Sequence, residues 1–395
     1  MKFDRPKLDA LLLTIGVSLL PIYVFASGGV QPAHLVLALF AGSTLVVRGV
    51  PLVNWALLLL ALAIYALLVE GFYVAGSGEP GALLNGIYYF YNCFLAASIF
   101  QHVRTFSLRP IAVGVLIAAS IALLTVLMSG VDMREMGEGG RSTATFNNPN
   151  QLGFFSVCLL SISYLLFREG QLRFIVALGL FSVAVYLAIV SLSKAAMVAN
   201  FVVVGIALKP RAHSRYAMTV WVLAAMVGVV AILDVVRGGG LDELLFMQRL
   251  NNMMEENDSS LESRGYLAFL DGNAAQWVFG LGSQRVSQIV GHEVHSTLGS
   301  IFNNYGIVGA LLTAGLFAIW AVQLFRSYGF AGLACIAGPA MLYGITHNGT
   351  RFTMFWLLLS ASMAAANARE RRKVRRGASF TRGQPAPPLL HGERA

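Results

Sequence analysis

Four cations give the first indication of chemistry. Arg141, Lys194, Arg264 and Arg351 each stand at or near the edge of an apolar segment. A positive side chain beside hydrocarbon is costly unless it is paired or used. Taken singly, each is explained equally well by a snorkelling side chain or by a salt bridge to a neighbouring acid. On the topology read below, all four belong to one side of a membrane, and cations around one mouth describe an anion site. Arginine forks match phosphate oxygens bidentately, and a phosphate-bearing lipid is the natural anion at that depth. Two histidines add acid–base capacity on the same side. His295 ends a long polar loop, and His347, followed by Asn348, comes after another apolar segment. An imidazole with an ordinary pKa of about 6.5 serves as a base near neutrality. The string His292-Glu293-Val294-His295 is one residue short of the HExxH zinc pattern and has no evident third ligand, so zinc is disfavoured. The acidic run Glu255, Glu256 and Asp258 lacks the alternation of a metal-binding loop and reads as solvated surface.

The elements that must position these groups are membrane helices. Apolar residues make up 57% of the chain and charged residues only 12%, against about 25% charged in a typical soluble domain. A chain so poor in charge cannot cover itself against water, and its mean hydropathy is +0.69. The expected fold class is all-α: a polytopic membrane protein with about twelve transmembrane helices and a helical cap on the outer face. Spans begin near Leu8, Ala33, Leu52, Leu83, Pro110, Gln151, Phe174, Ala195, Tyr216, Gly306, Gly329 and Phe352, and the segment from Ser296 to Tyr305 reads as interfacial. The domain plan is residues 1–236 for nine spans, 237–296 for the cap, 297–368 for three more spans, and 369–395 for a basic cytoplasmic tail. Within the cap, Leu241, Leu244, Leu245 and Met253 recur near helical spacing, and Ser259-Ser260-Leu261-Glu262 is a capping-box signature that opens a second helix holding Arg264. A shorter outer loop covers Ser129 to Asn150.

Charge placement supports this count. With the N-terminus inside, 20 of the 28 basic residues fall on cytoplasmic segments and 14 of the 19 acidic residues fall outside. One span more or fewer would invert every later loop and destroy the split. Eight of the basic residues lie between Arg369 and Arg394 directly after an apolar segment, a place for a lipid-facing anchor rather than for nucleic acid. The stretch from Met1 to Ala26 has the charges and apolar run of a signal peptide, but further spans follow directly, which favours an uncleaved first span. Cys93, Cys158 and Cys335 are isolated thiols inside apolar runs, without the spacing of a disulfide framework or a metal site. Glu70 and Asp234 sit near span ends and no acidic residue lies deep in any span, a lack that disfavours ion-coupled transport.

Several strings resemble the motifs of one family. Arg141, followed by Asn147-Asn148-Pro149-Asn150 and by Leu152-Gly153, resembles the arginine, NPN and LG motif of the bacterial O-antigen ligase and O-antigen polymerase family. Ser193-Lys194 resembles its Ser-Arg motif, with lysine where the family usually has arginine. Arg264 followed by Gly280-Leu281-Gly282 resembles its loop arginine and GxG, and His295 followed by Gly306 and Gly309 resembles its His-Asn and GxxG ending, with Ser296 where asparagine is common. Together these strings cover the chain from Arg141 to Phe325. The resemblance implies a metal-independent, cofactor-free glycosyltransferase of GT-C type in the bacterial inner membrane. It implies a glycan donor linked to undecaprenyl-diphosphate and a hydroxyl acceptor, either lipid A–core or a second lipid-linked glycan. His295 and Arg264 are then the expected catalytic residues, with Arg141, Lys194, Asn147, Asn150, Arg351 and His347 around the diphosphate and sugar. The competing reading from another class is a flippase for lipid-linked oligosaccharide or another permease. It accounts for the spans and the outer cations but leaves the cap without a purpose.

Overall fold

A computed structural model describes residues 5–25, 29–129, 143–207, 265–292 and 294–381. Secondary structure among these residues is helical, with no strand. In chain order the α-helices are α1 (Arg5–Ser18), α2 (Pro32–Arg48), α3 (Asn54–Ser77), α4 (Leu83–Thr105), α5 (Arg109–Met128), α6 (Pro149–Arg168), α7 (Phe174–Val190) and α8 (Lys194–Ala207). After the gap come α9 (Ala274–Phe279), α10 (Ser283–Val290), α11 (Thr297–Gly332), α12 (Gly338–Thr346) and α13 (Thr353–Thr381). The expected ninth span, the cap helices near Leu241 and Ser259, and both Arg141 and Arg264 lie outside the described residues.

Among the described residues, five helical stretches are long and apolar enough to cross a membrane: Asn54–Ser77, Pro80–Thr105, Arg109–Met128, Pro149–Arg168 and Thr297–Thr346. Pro32–Arg48, Phe174–Val190 and Lys194–Ile206 are apolar but shorter. The bundle is apolar on both its inside and its outside. Leu35, Leu39, Leu57, Leu68 and Phe72 are exposed on helix flanks, a distribution that suits lipid rather than water. At the centre stand α6 and the first half of α13, whose residues from Gln151 to Leu166 and from Thr353 to Ala366 are all buried.

Helices α1 to α8 run alternately between two ends of the bundle, as contacts between their connections show. At one end Asn147 Nδ2 donates to the Phe25 carbonyl (3.1 Å) and Tyr73 Oη donates to Gln288 (3.2 Å). At the other, Arg48 lies over the Phe106 ring at 4.3 Å, and Tyr328 Oη donates to Glu169 at 2.9 Å.

Two glycines divide α11. Gly306 (φ 61°) and Gly329 (φ 71°) are non-helical and break it into an entry helix over 297–305 and a long central stretch. The last turns pass through a π-turn, Leu333–Ala337, into α12. The breaks coincide with the expected starts of two spans and make the interfacial segment a separate short helix. Gly306 is also where two backbones meet. A Cβ there would lie 2.4 Å from the Val278 carbonyl oxygen, and one on Gly280 would lie 2.2 Å from that of Asn304. Across this contact the amides of Leu281 and Gly282 donate to the carbonyls of Asn303 and Asn304, both at 3.0 Å. The Gly280-Leu281-Gly282 string is thus a docking strip, where glycine permits both the positive φ and the close approach.

Candidate functional site

The N-terminus of α6 is built by the Asn147-Asn148-Pro149-Asn150 turn. Asn148 is the N-cap, its Oδ1 accepting the Gln151 amide at 2.9 Å, and Pro149 occupies the first helical position. This is the sequence chemistry of a helix start, in which the proline lacks an N–H that would have no helical partner. Asn147 is exposed beside the cap. Asn150 offers its carbonyl to Tyr343 Oη on α12 at 2.5 Å. The α6 terminus is therefore joined directly to α12.

Lys194 opens α8 after a sharp turn at Leu192 (φ 49°). Gly153 of α6 faces Ser193 so closely that a Cβ would come within 2.8 Å of the serine Cβ. Helices α6, α8 and α12 pack against one another. Lys194 and Asn150 consequently belong to neighbouring helix starts that share α12 as a wall.

His347 caps the C-terminus of α12. Its ring stacks on Tyr343 with centroids 4.6 Å apart, and Nδ1 lies 3.0 Å from Thr346 Oγ1. One residue on, Asn348 turns to the other side and receives no such stacking; its Nδ2 donates to Ser300 at 3.1 Å. Thr297 ties this turn to the entry helix by donating to the His347 carbonyl (3.1 Å) and accepting the Gly349 amide (2.8 Å).

His295 is exposed immediately before Ser296, the N-cap of α11, whose Oγ accepts the Gly299 amide at 3.2 Å. Its imidazole stacks on His292 with centroids 5.0 Å apart and an interplanar angle of 9°. The three-residue spacing that resembled a zinc string here makes a stacked pair. Among the described residues no three His, Cys, Asp or Glu side chains gather as a metal site. His292 and the exposed Arg351 both line a polar cavity of about 130 Å³ between α4, α10 and the entry helix of α11.

Six of the eight expected site residues are described, and all six lie at the same end of the bundle. They form two neighbouring groups, Asn147, Asn150, Lys194 and His347 on one side and His295 with Arg351 on the other, and Thr297 and the 347–351 turn join them. Sequence reasoning missed the polar cavity, with Asn85, Tyr89, Asn304 and Tyr305 in its wall. It also missed the role of Glu70, whose carboxylate is fully buried and accepts the Ser283 amide and the Tyr305 hydroxyl, each at 3.1 Å. The only signals were an acid at a span end and the polar, aromatic run Tyr88-Tyr89-Phe90-Tyr91-Asn92.

No family model matches the chain, and no curated protein matches it either. The functional reading therefore rests on its own residues and their arrangement.

Proposed function

We propose that this chain is a metal-independent, inverting membrane glycosyltransferase of the O-antigen ligase and polymerase type. It transfers a glycan from undecaprenyl-diphosphate to a hydroxyl on lipid A–core or on a growing lipid-linked polysaccharide. In this reading the chain crosses the bacterial inner membrane twelve times, with both termini cytoplasmic and the site on the periplasmic face. One observation carries it: the starts of α6 and α8, the His295 turn and the 347–351 turn, far apart in sequence, converge at a single end of the bundle.

The chemistry follows from the residue types. The acceptor oxygen attacks the anomeric carbon as the bond from that carbon to the diphosphate oxygen breaks, so configuration inverts and the carrier leaves as undecaprenyl diphosphate. Arg264 and Arg141, with Lys194 assisting, hold the charge that develops on the diphosphate, as preorganised cations do without a metal, and Arg351 faces the sugar. His295 takes the proton of the acceptor hydroxyl. Asn147 and Asn150 shape the sugar and phosphate surroundings, and His347 braces them through Tyr343. Arg264→Ala is expected to abolish transfer while the protein remains in the membrane at normal levels, and near-normal transfer by it removes the proposal. His295→Ala is expected to lose at least about tenfold in rate, the lower range for a general base; a smaller loss removes the base role.

A further inference from the structure

We infer that the cavity between α4, α10 and the entry helix of α11 is a subsite for a single sugar ring of the glycan, an inference that rests on the glycosyl-transfer reading above. Its volume of about 130 Å³ compares with the roughly 150 Å³ of an engineered cavity that accepts one benzene ring. A six-membered ring matches that size.

The wall chemistry selects which ring. The lining includes the amides Asn85, Asn304 and Asn348, the phenols Tyr89 and Tyr305, and the Arg351 guanidinium. Amides and phenols both donate and accept, which is what a ring of hydroxyls requires. None of the described lining residues is a carboxylate, the charged ligand on which divalent-cation sites chiefly rely. A bare phosphate would use the guanidinium and leave the amide acceptors idle.

Those acceptors are available. Asn85 and Asn304 spend their Nδ2 groups on Ser283 (2.5 Å) and Ser300 (3.2 Å). Their Oδ1 atoms accept no hydrogen bond from a described residue, and both side chains are half-buried, which leaves them open to a donor on a ligand. Tyr89, half-buried and held edge to face on the buried Tyr305 with centroids 5.7 Å apart, supplies an aromatic surface for the C–H face of a sugar. The cavity is also in the right place. Ser287 and His292 stand exposed on its lining, and His292 carries the stacked His295. A ring seated here lies beside the residue assigned to proton transfer.

The test uses the full chain in nanodiscs, with the methyl pyranosides of glucose, galactose and N-acetylglucosamine as probes at about 10 mM, the scale of a weak single-ring contact. Saturation-transfer NMR is expected to detect at least one of them. Ser287→Tyr, at an exposed position, fills the mouth without disturbing the core and is expected to abolish the signal. Asn304→Leu is expected to weaken it at least fivefold. Inorganic diphosphate at the same concentration is expected to leave it unchanged. The inference is overturned if no pyranoside gives a signal, if the signal survives Ser287→Tyr, or if diphosphate displaces the sugar. Sugar binding without glycosyl transfer would sink the functional reading alone, and transfer without sugar binding would sink this subsite alone.

Discussion

Glu70 shows what a single residue contributes. It is an acid within an apolar helix, completely buried, and its two acceptances reach Ser283, 213 positions away, and Tyr305, 235 positions away. One carboxylate thus fixes the first residue of α10 and the last residue before the Gly306 break, and both are cavity walls. Leucine at this position would strand a buried N–H and a buried O–H, at a cost of about 1–3 kcal/mol for each. We expect Glu70→Leu to lower the midpoint of thermal unfolding in detergent markedly and Glu70→Gln, which keeps a carbonyl acceptor, to lower it much less. Equal losses in the two variants would show that the negative charge, rather than hydrogen bonding, is what matters. The sequence marked Glu70 only as an acid at a span end, because its partners lie in a segment that no local pattern connects to it. Asn148-Pro149 was closer to legible: cap and first-turn preferences are local, and the span expected from near Gln151 begins two residues earlier, at Pro149. The helix breaks at Gly306 and Gly329 fall where the sequence placed two span starts, whereas the contact of Gly280 with Asn304 that explains the docking strip is tertiary.

Helix α13 carries the account at the scale of an element. Its first half is buried against the bundle, and beyond Ala366 it becomes a basic helix held at the end opposite the site. There Glu169, at the α6–α7 turn, receives Arg369 at 3.6 Å, Arg372 at 3.4 Å and the Tyr328 hydroxyl at 2.9 Å. Lys373 donates to the Arg326 carbonyl at 3.1 Å and to Glu370 at 2.7 Å. Exposed ion pairs contribute little singly, but several sharing one shielded acid make a network. We expect Glu169→Gln to speed amide hydrogen exchange over residues 369–374 while leaving 353–366 protected; unchanged exchange in the first stretch would mean that the helix holds itself. The hydrogen bond from Lys373 holds the Glu370 carboxyl below its usual value. Its share of the anchoring is therefore complete above the ordinary carboxylate range and is lost only as the pH falls through that lowered value. The basic run itself was plain in the sequence. Its acidic counterpart was not, since Glu169 is one residue in an unremarkable turn.

Across the molecule, composition pointed to helices long and apolar enough to cross a membrane, and the described residues are helical with five such stretches. Helix starts near Ala33, Leu83, Pro110, Gln151, Phe174 and Ala195 agree with the structure to within two residues. Convergence of the site was less legible. The spacing of motifs named the residues, and only the packing of α6, α8 and α12 shows that the helix starts carrying Asn150 and Lys194 lie side by side. The central claim is that this end of the bundle makes a glycosidic bond rather than passing its substrate across the membrane. The measurement that bears on it most directly is product analysis by mass spectrometry. Purified protein in sealed vesicles receives a defined, isotopically labelled undecaprenyl-diphosphate-linked glycan, in the presence of a chelator, together with a lipid-linked or lipid A–core acceptor. The account predicts a new glycosidic bond of inverted anomeric configuration and stoichiometric release of undecaprenyl diphosphate, at a rate the chelator does not change. Intact substrate appearing on the far side of the vesicle with no new bond, or transfer that stops when divalent ions are removed, would contradict it.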